Sequence, residues 1–140
     1  MTTAEAKEFL NRGYRAKERI AAKQERIDHW RQIAESITAE IKPSGGVSTS
    51  PSKKIENCVC NIVDLQDEIQ SEINELVAVE REVEKAIVAA VVDPTLRAVL
   101  EMRYLNYLKW EEIAVRLDVT FRWTMSLHKK ALEIFSAKAL

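Results

Sequence analysis

Very little in this sequence would interrupt a helix. Its 140 residues hold three glycines and three prolines, and two of each fall within residues 42–52, KPSGGVSTSPS. With almost no breakers elsewhere, and 31% of residues charged, the composition suits long amphipathic helices and an all-α protein. Cysteine is scarce too. Cys58 and Cys60 are two positions apart, which on a helix points them about 200° apart, so they can neither chelate one metal nor bridge. The longest apolar run, Ala86–Val92, is far shorter than the roughly 20 residues a membrane span needs. Met1-Thr2-Thr3-Ala4-Glu5 lacks the basic segment and apolar core of a secretory signal. A Gly-rich phosphate loop, a His-Glu-x-x-His pair, a nucleophile with a base and a Cys/His ligand set are all missing. Neither an enzyme nor a cofactor or metal site is expected.

Charge is nearly balanced at −1, so the chain as a whole is no polycation seeking nucleic acid. Its distribution is uneven. Residues 1–41 carry +1, residues 53–92 carry −5, residues 93–140 carry +2, and residues 121–140 alone carry +3. Any contact with phosphate therefore belongs on the C-terminal helix.

From the N-terminus, Thr2-x-x-Glu5 has the form of a capping box, and a helix is predicted from there to about Ile41. Ala16, Ile20, Ile27, Trp30, Ala34, Ile37 and Ile41 lie largely on a seven-residue repeat, with Lys23 the polar exception. Residues 43–52 read as a turn or loop. A second helix follows from about Lys53 to Val91, with a stripe of Ile55, Val59, Ile62, Leu65, Ile69, Ile73, Leu76, Val83 and Ile87. Both helices would run about 55–60 Å at 1.5 Å per residue. Equal lengths and a short loop predict an antiparallel, coiled-coil-like hairpin stalk over 1–92. Two helices alone bury little, so a second copy or a partner is expected to cover the rest.

The last third has a different texture. Asp93-Pro94 opens a helix carrying Leu96, Val99, Leu100, Arg103 and Tyr104 on one side. Asn106-Tyr107 breaks it, and a short helix follows from Trp110 with Ile113, Ala114 and Leu117 inward. Asp118 marks a sharp turn. Thr120 is the N-cap of a final helix over Phe121 to about Ala137, with Thr124, Leu127, Ala131 and Ile134 as its core face. Three helices, the last two joined by a tight turn, make a helix-turn-helix head over 93–140. In that unit the second helix of the pair enters the major groove.

Arg103-Tyr104-Leu105, Trp110-Glu111-Glu112-Ile113-Ala114, Leu117-Asp118-Val119-Thr120 and Lys130-Ala131-Leu132 resemble region 4 of bacterial sigma-70 factors. Arg122-Trp123, Leu127-His128 and Ala131-Leu132 are similar to a phrase in phage and prophage late transcription regulators of the ArpU and RinA type. Asp118 stands where that turn usually has glycine. The resemblance implies a phage-type transcriptional regulator in the cytoplasm of a bacterial host, binding double-stranded DNA. Arg122, Ser126 and Lys129, four and three residues apart, would face bases or phosphates together, with Lys130 on the backbone. Trp123 has two roles open, completing the core or offering its indole N–H to a phosphate, and core packing is the favoured one. His128 reads as half-buried or a phosphate contact. The stalk would serve dimerisation or contact with RNA polymerase. Two rivals stand beside this reading: an adaptor that binds polymerase or another protein without touching DNA, and a structural coiled-coil assembly protein.

Overall fold

The computed structural model describes residues 1–40 and 49–139. All regular structure among them is helical: α1 (Thr3–Leu10), α2 (Arg12–Glu40), α3 (Thr49–Ala90), α4 (Pro94–Tyr104), α5 (Trp110–Leu117) and α6 (Phe121–Lys138). The expected loop at 43–52 falls mostly outside the described residues, and Thr49–Ser52 belong to α3. The chain forms two compact units, residues 1–16 with 75–140 and residues 17–74, where the sequence suggested a division at residue 92.

In the unit of residues 17–74, α2 and α3 run antiparallel, as the sequence predicts. Lys23, the polar exception in the stripe, is answered across the seam. Its ammonium lies 3.0 Å from Glu72 Oε1 and 3.5 Å from Glu68 Oε2, and Arg19 lies 3.6 Å from Glu72. The hydrogen bond from Lys23 to Glu72 raises the ammonium's pKa, against an opposing effect of burial. The second oxygen of Glu72 is buried without a partner. Ile27, Cys58 and Leu65 are buried, and Cys60 is exposed, as their angular separation requires. The stripe itself needs correcting. Val59 and Ile73 are exposed, because the buried phase of α3 runs through Cys58, Leu65 and Glu72 at heptad spacing, one residue away from each. Trp30, expected in the core, is half-buried.

The unit of residues 1–16 and 75–140 holds the main core. Thr2 caps α1, its side chain accepting from Glu5 N–H at 3.1 Å. The long helix expected from there to Ile41 forms with a bend. At Asn11 (φ −79°, ψ 0°) the N–H reaches the carbonyls of Lys7 and Phe9 and the Asn11 carbonyl accepts from Arg15 N–H at 3.3 Å, so the chain passes from α1 into α2 without leaving right-handed geometry. Asparagine competes for backbone hydrogen bonds and suits such a bend. Its consequence is that α1 joins the core of the head. Ala6 and Leu10 are fully buried, clustered with Val83, Ile87, Leu96, Leu100, Ala131, Leu132 and Phe135, and Phe9 stacks on Phe135 with ring centroids 6.1 Å apart. The two long helices are therefore unequal: about 44 Å for 29 residues of α2 and about 63 Å for 42 of α3.

Gly13 has a local reason to be glycine. A Cβ there would lie 2.5 Å from the Tyr107 hydroxyl, which donates to Glu80 Oε1 at 2.6 Å.

α3 stops before Asp93-Pro94, since proline disfavours helical geometry in the residue preceding it. Arg97 closes its end, donating from Nε to the Val91 carbonyl at 2.9 Å and from Nη2 to the Val88 carbonyl at 3.1 Å. These are carbonyls the helix terminus leaves without partners. Asp93 caps α4 by accepting from Thr95 and Leu96 N–H at 2.9 and 3.1 Å. Leu96, Val99, Leu100 and Tyr104 are buried along it.

Candidate functional site

The turn between α5 and α6 decides where the last helix points. Asp118 adopts left-handed geometry (φ 54°, ψ 47°). There its own N–H reaches the Val115 carbonyl at 3.2 Å and Val119 N–H reaches Ala114 at 3.1 Å, a closure of the kind glycine usually supplies. Two residues later Thr120 starts α6. Its hydroxyl accepts from Trp123 N–H at 3.0 Å, and Thr124 Oγ1 donates to the Thr120 carbonyl at 3.0 Å. α6 packs against α1, α4 and α5, and α4 also meets α5. The head is thus the three expected helices plus α1 and the end of α3.

A buried cluster fixes α6 in rotation, and hydrophobic periodicity alone did not point to it. His128, expected at the edge, is 6% exposed. Its Nε2 lies 2.7 Å from the Tyr104 hydroxyl, the two joined by one hydrogen bond. The Trp110 ring sits on the imidazole, centroids 4.4 Å apart. The Arg103 guanidinium lies over the Trp110 ring, 4.6 Å from its centroid, and donates to the Leu108 carbonyl at 3.0 Å. Burial, then the charges of Lys7 and Arg103, lower the His128 pKa to about 4. Burial likewise pushes the Tyr104 hydroxyl up to about 12. His128 is a neutral core group, neither a half-exposed residue nor a phosphate contact. Trp110, at the start of α5, ties that helix to α6 through His128 and to α4 through Arg103.

This packing turns the core face of α6 away from the expected one. The buried residues are Thr124, His128, Ala131, Leu132, Phe135 and Ser136, while Leu127 and Ile134 are only half-buried. The shift is about 75° around the helix axis at 100° per residue. It corrects the reading of Trp123, which is 55% exposed and outside the core. Sequence periodicity placed it at the edge of the wrong stripe. The discriminating signal was Phe135 with Leu132, whose partners on α1 lie far away in sequence.

On the opposite side the five candidate residues come together. Lys129, Arg122, Ser126, Lys130 and Trp123 are all exposed and fall within an arc of about 120°. Ser126 Oγ donates to the Arg122 carbonyl at 3.3 Å. Among the described residues no carboxylate lies within ion-pairing distance of Arg122, Lys129 or Lys130. Glu133 is the one acid on this arc, toward the far end of the helix. Beside the arc, Phe121 is 50% exposed and Val115 on α5 is 80% exposed. The arrangement is a cationic strip with an unshielded indole at the N-terminal turn of a rigidly held helix. Among the described residues no group of His, Cys, Asp or Glu side chains is placed to hold a metal ion, and no helix is long and apolar enough to cross a membrane. No protein-family model, no curated protein and no solved structure matches this chain.

Proposed function

We propose that the chain is a DNA-binding transcriptional regulator of phage or prophage type. In this reading α6 reads duplex DNA in the major groove, and the long helices serve oligomerisation or contact with RNA polymerase. The observation that carries it is the strip of Arg122, Ser126, Lys129 and Lys130 on the outward side of the second helix of a helix-turn-helix, its cations unpaired by any described carboxylate. A helix fits the major groove, and cations along its outward side meet phosphates at the groove's edges. With a net charge of only +3 over residues 121–140, one head would bind weakly, and two heads joined in one assembly would gain through effective concentration.

The test is electrophoretic mobility with the full chain. Arg122→Glu with Lys129→Glu should abolish duplex binding at low salt while the helical circular dichroism stays unchanged. Unaltered shifts in that double variant would remove the assignment.

The exposed Val115 and Phe121 favour one rival, an adaptor that docks on RNA polymerase or another protein through its head and leaves DNA alone. Salt separates the two. Binding through several phosphates weakens steeply as salt rises, whereas docking through apolar side chains does not.

A further inference from the structure

Trp123 is the largest apolar side chain on the outward arc of α6, and nothing in the fold uses its ring. It is 55% exposed, and among the described residues it stacks on no ring and lies under no cation. Its backbone is fixed all the same. The Trp123 N–H is spent on the Thr120 hydroxyl at 3.0 Å, which locks the residue into the first turn of the helix. That end of the second helix of a helix-turn-helix approaches base edges most closely.

The chemistry of the side chain restricts what it can recognise. Indole carries one N–H donor and no acceptor, so most of its surface is matched by apolar groups, cations or other π systems rather than by hydrogen-bonding base edges. In the major groove the base edges present one such group, the C5 methyl of thymine. An apolar protein surface would suit the ring as well. The surroundings decide between them: the indole stands at one edge of an arc that carries Lys130, Ser126, Arg122 and Lys129, and the one acid on that arc, Glu133, lies ten residues further on. An aromatic at the edge of a cationic strip suits a polyanion that carries methyl groups.

Resting on the DNA-reading proposed above, we infer that Trp123 is a specificity-determining residue that reads thymine methyl groups and gives the head a preference for A·T-containing sites. Arg122 and Lys130 supply affinity around it without regard to sequence.

The experiment measures binding of the full chain, by fluorescence anisotropy, to labelled duplexes of alternating dA-dT and of alternating dA-dU, which differ in the thymine methyl. The wild type should bind the dA-dT duplex about four-fold more tightly, the value of one methyl group removed from water. Trp123→Gln should lower affinity for dA-dT to the dA-dU level and abolish the difference, and Trp123→Leu, which keeps apolar bulk, should retain part of it. Both variants should keep the wild-type melting temperature, since the ring lies outside the core. The inference is overturned by equal wild-type affinity for the two duplexes, or by a preference that persists in Trp123→Gln. In either case salt-sensitive binding to both duplexes, lost in Arg122→Glu with Lys129→Glu, leaves the DNA-reading standing. Binding to neither duplex at low salt overturns both and assigns the exposed indole to a protein partner.

Discussion

An imidazole enclosed by Trp110, Tyr104 and Arg103 takes up a proton only at a cost to the fold. His128 has its pKa lowered to about 4 in the folded chain against an ordinary value of 6.5. A depressed folded value means the neutral form is the one folding favours. Its contribution is therefore complete above about pH 6.5 and is lost progressively as pH falls through 6.5 toward 4. The loss is at most about 3 kcal/mol, less where water reaches the ring edge. Urea denaturation at pH 7.5 and pH 4.5 should show the wild type losing more stability than His128→Gln, which has nothing to titrate at that position. Parallel losses in the two proteins would show that His128 is not the cause. Gly13 offers a second residue with a sign to check. In an ordinary helix interior Gly→Ala stabilises by about 1 kcal/mol. Here the new Cβ meets the Tyr107 hydroxyl at 2.5 Å, and that hydroxyl is held by Glu80. Gly13→Ala should thus lower the thermal midpoint of the wild type but raise it in a Tyr107→Phe background, where the obstructing oxygen is gone. Both residues were visible in the sequence, yet neither role was. Glycine in a helical pattern reads as a tolerated defect until the residue facing it is known. A histidine beside Leu127 reads as an edge residue until the helix's rotation is fixed.

The helices were the most legible level, because their ends are set by neighbours in sequence. Thr2, Asp93 and Thr120 cap as expected, since a side-chain oxygen reaches N–H groups two or three residues ahead wherever the rest of the chain goes. The turn at Asp118 was legible for the same reason, and it carries a prediction. Left-handed geometry is strained for a residue with a Cβ and free of that strain for glycine. Asp118→Gly should stabilise the protein by about 0.5–1 kcal/mol, read as a higher urea midpoint. Asp118→Val should destabilise it, β-branching being poorly tolerated at positive φ. What local signals did not show was which way a helix rolls. α6 offers Leu127 and Ile134 as well as Leu132 and Phe135 to a core, and hydrophobic spacing alone does not choose. α1, packed against Phe135, and the His128 cluster choose the second set, and the choice leaves Trp123 outside.

The head as a whole includes more of the chain than its motif does. A helix-turn-helix over 93–140 looks complete when read along the sequence. Its core nevertheless needs Ala6 and Leu10 from α1 and Val83, Ile87 and Val91 from the end of α3. A fragment of residues 93–140 should therefore fail to unfold cooperatively, showing a broad, low-temperature transition by circular dichroism. The full chain should show a steep one. A sharp transition in the fragment would mean that α1 and α3 merely cover a head already stable by itself.

The sequence by itself determined that the protein is helical, where its helices start and stop, the turn that sets α6 apart, and which cations lie on that helix. These properties depend on spacing and on side chains a few residues apart, so they are written in order along the chain. Only the tertiary structure decided that α1 belongs to the head, that His128 is a neutral core group and that the Trp123 ring faces solvent. Each of those follows from contacts between residues distant in sequence, which fix a helix's rotation in a way its own periodicity leaves open.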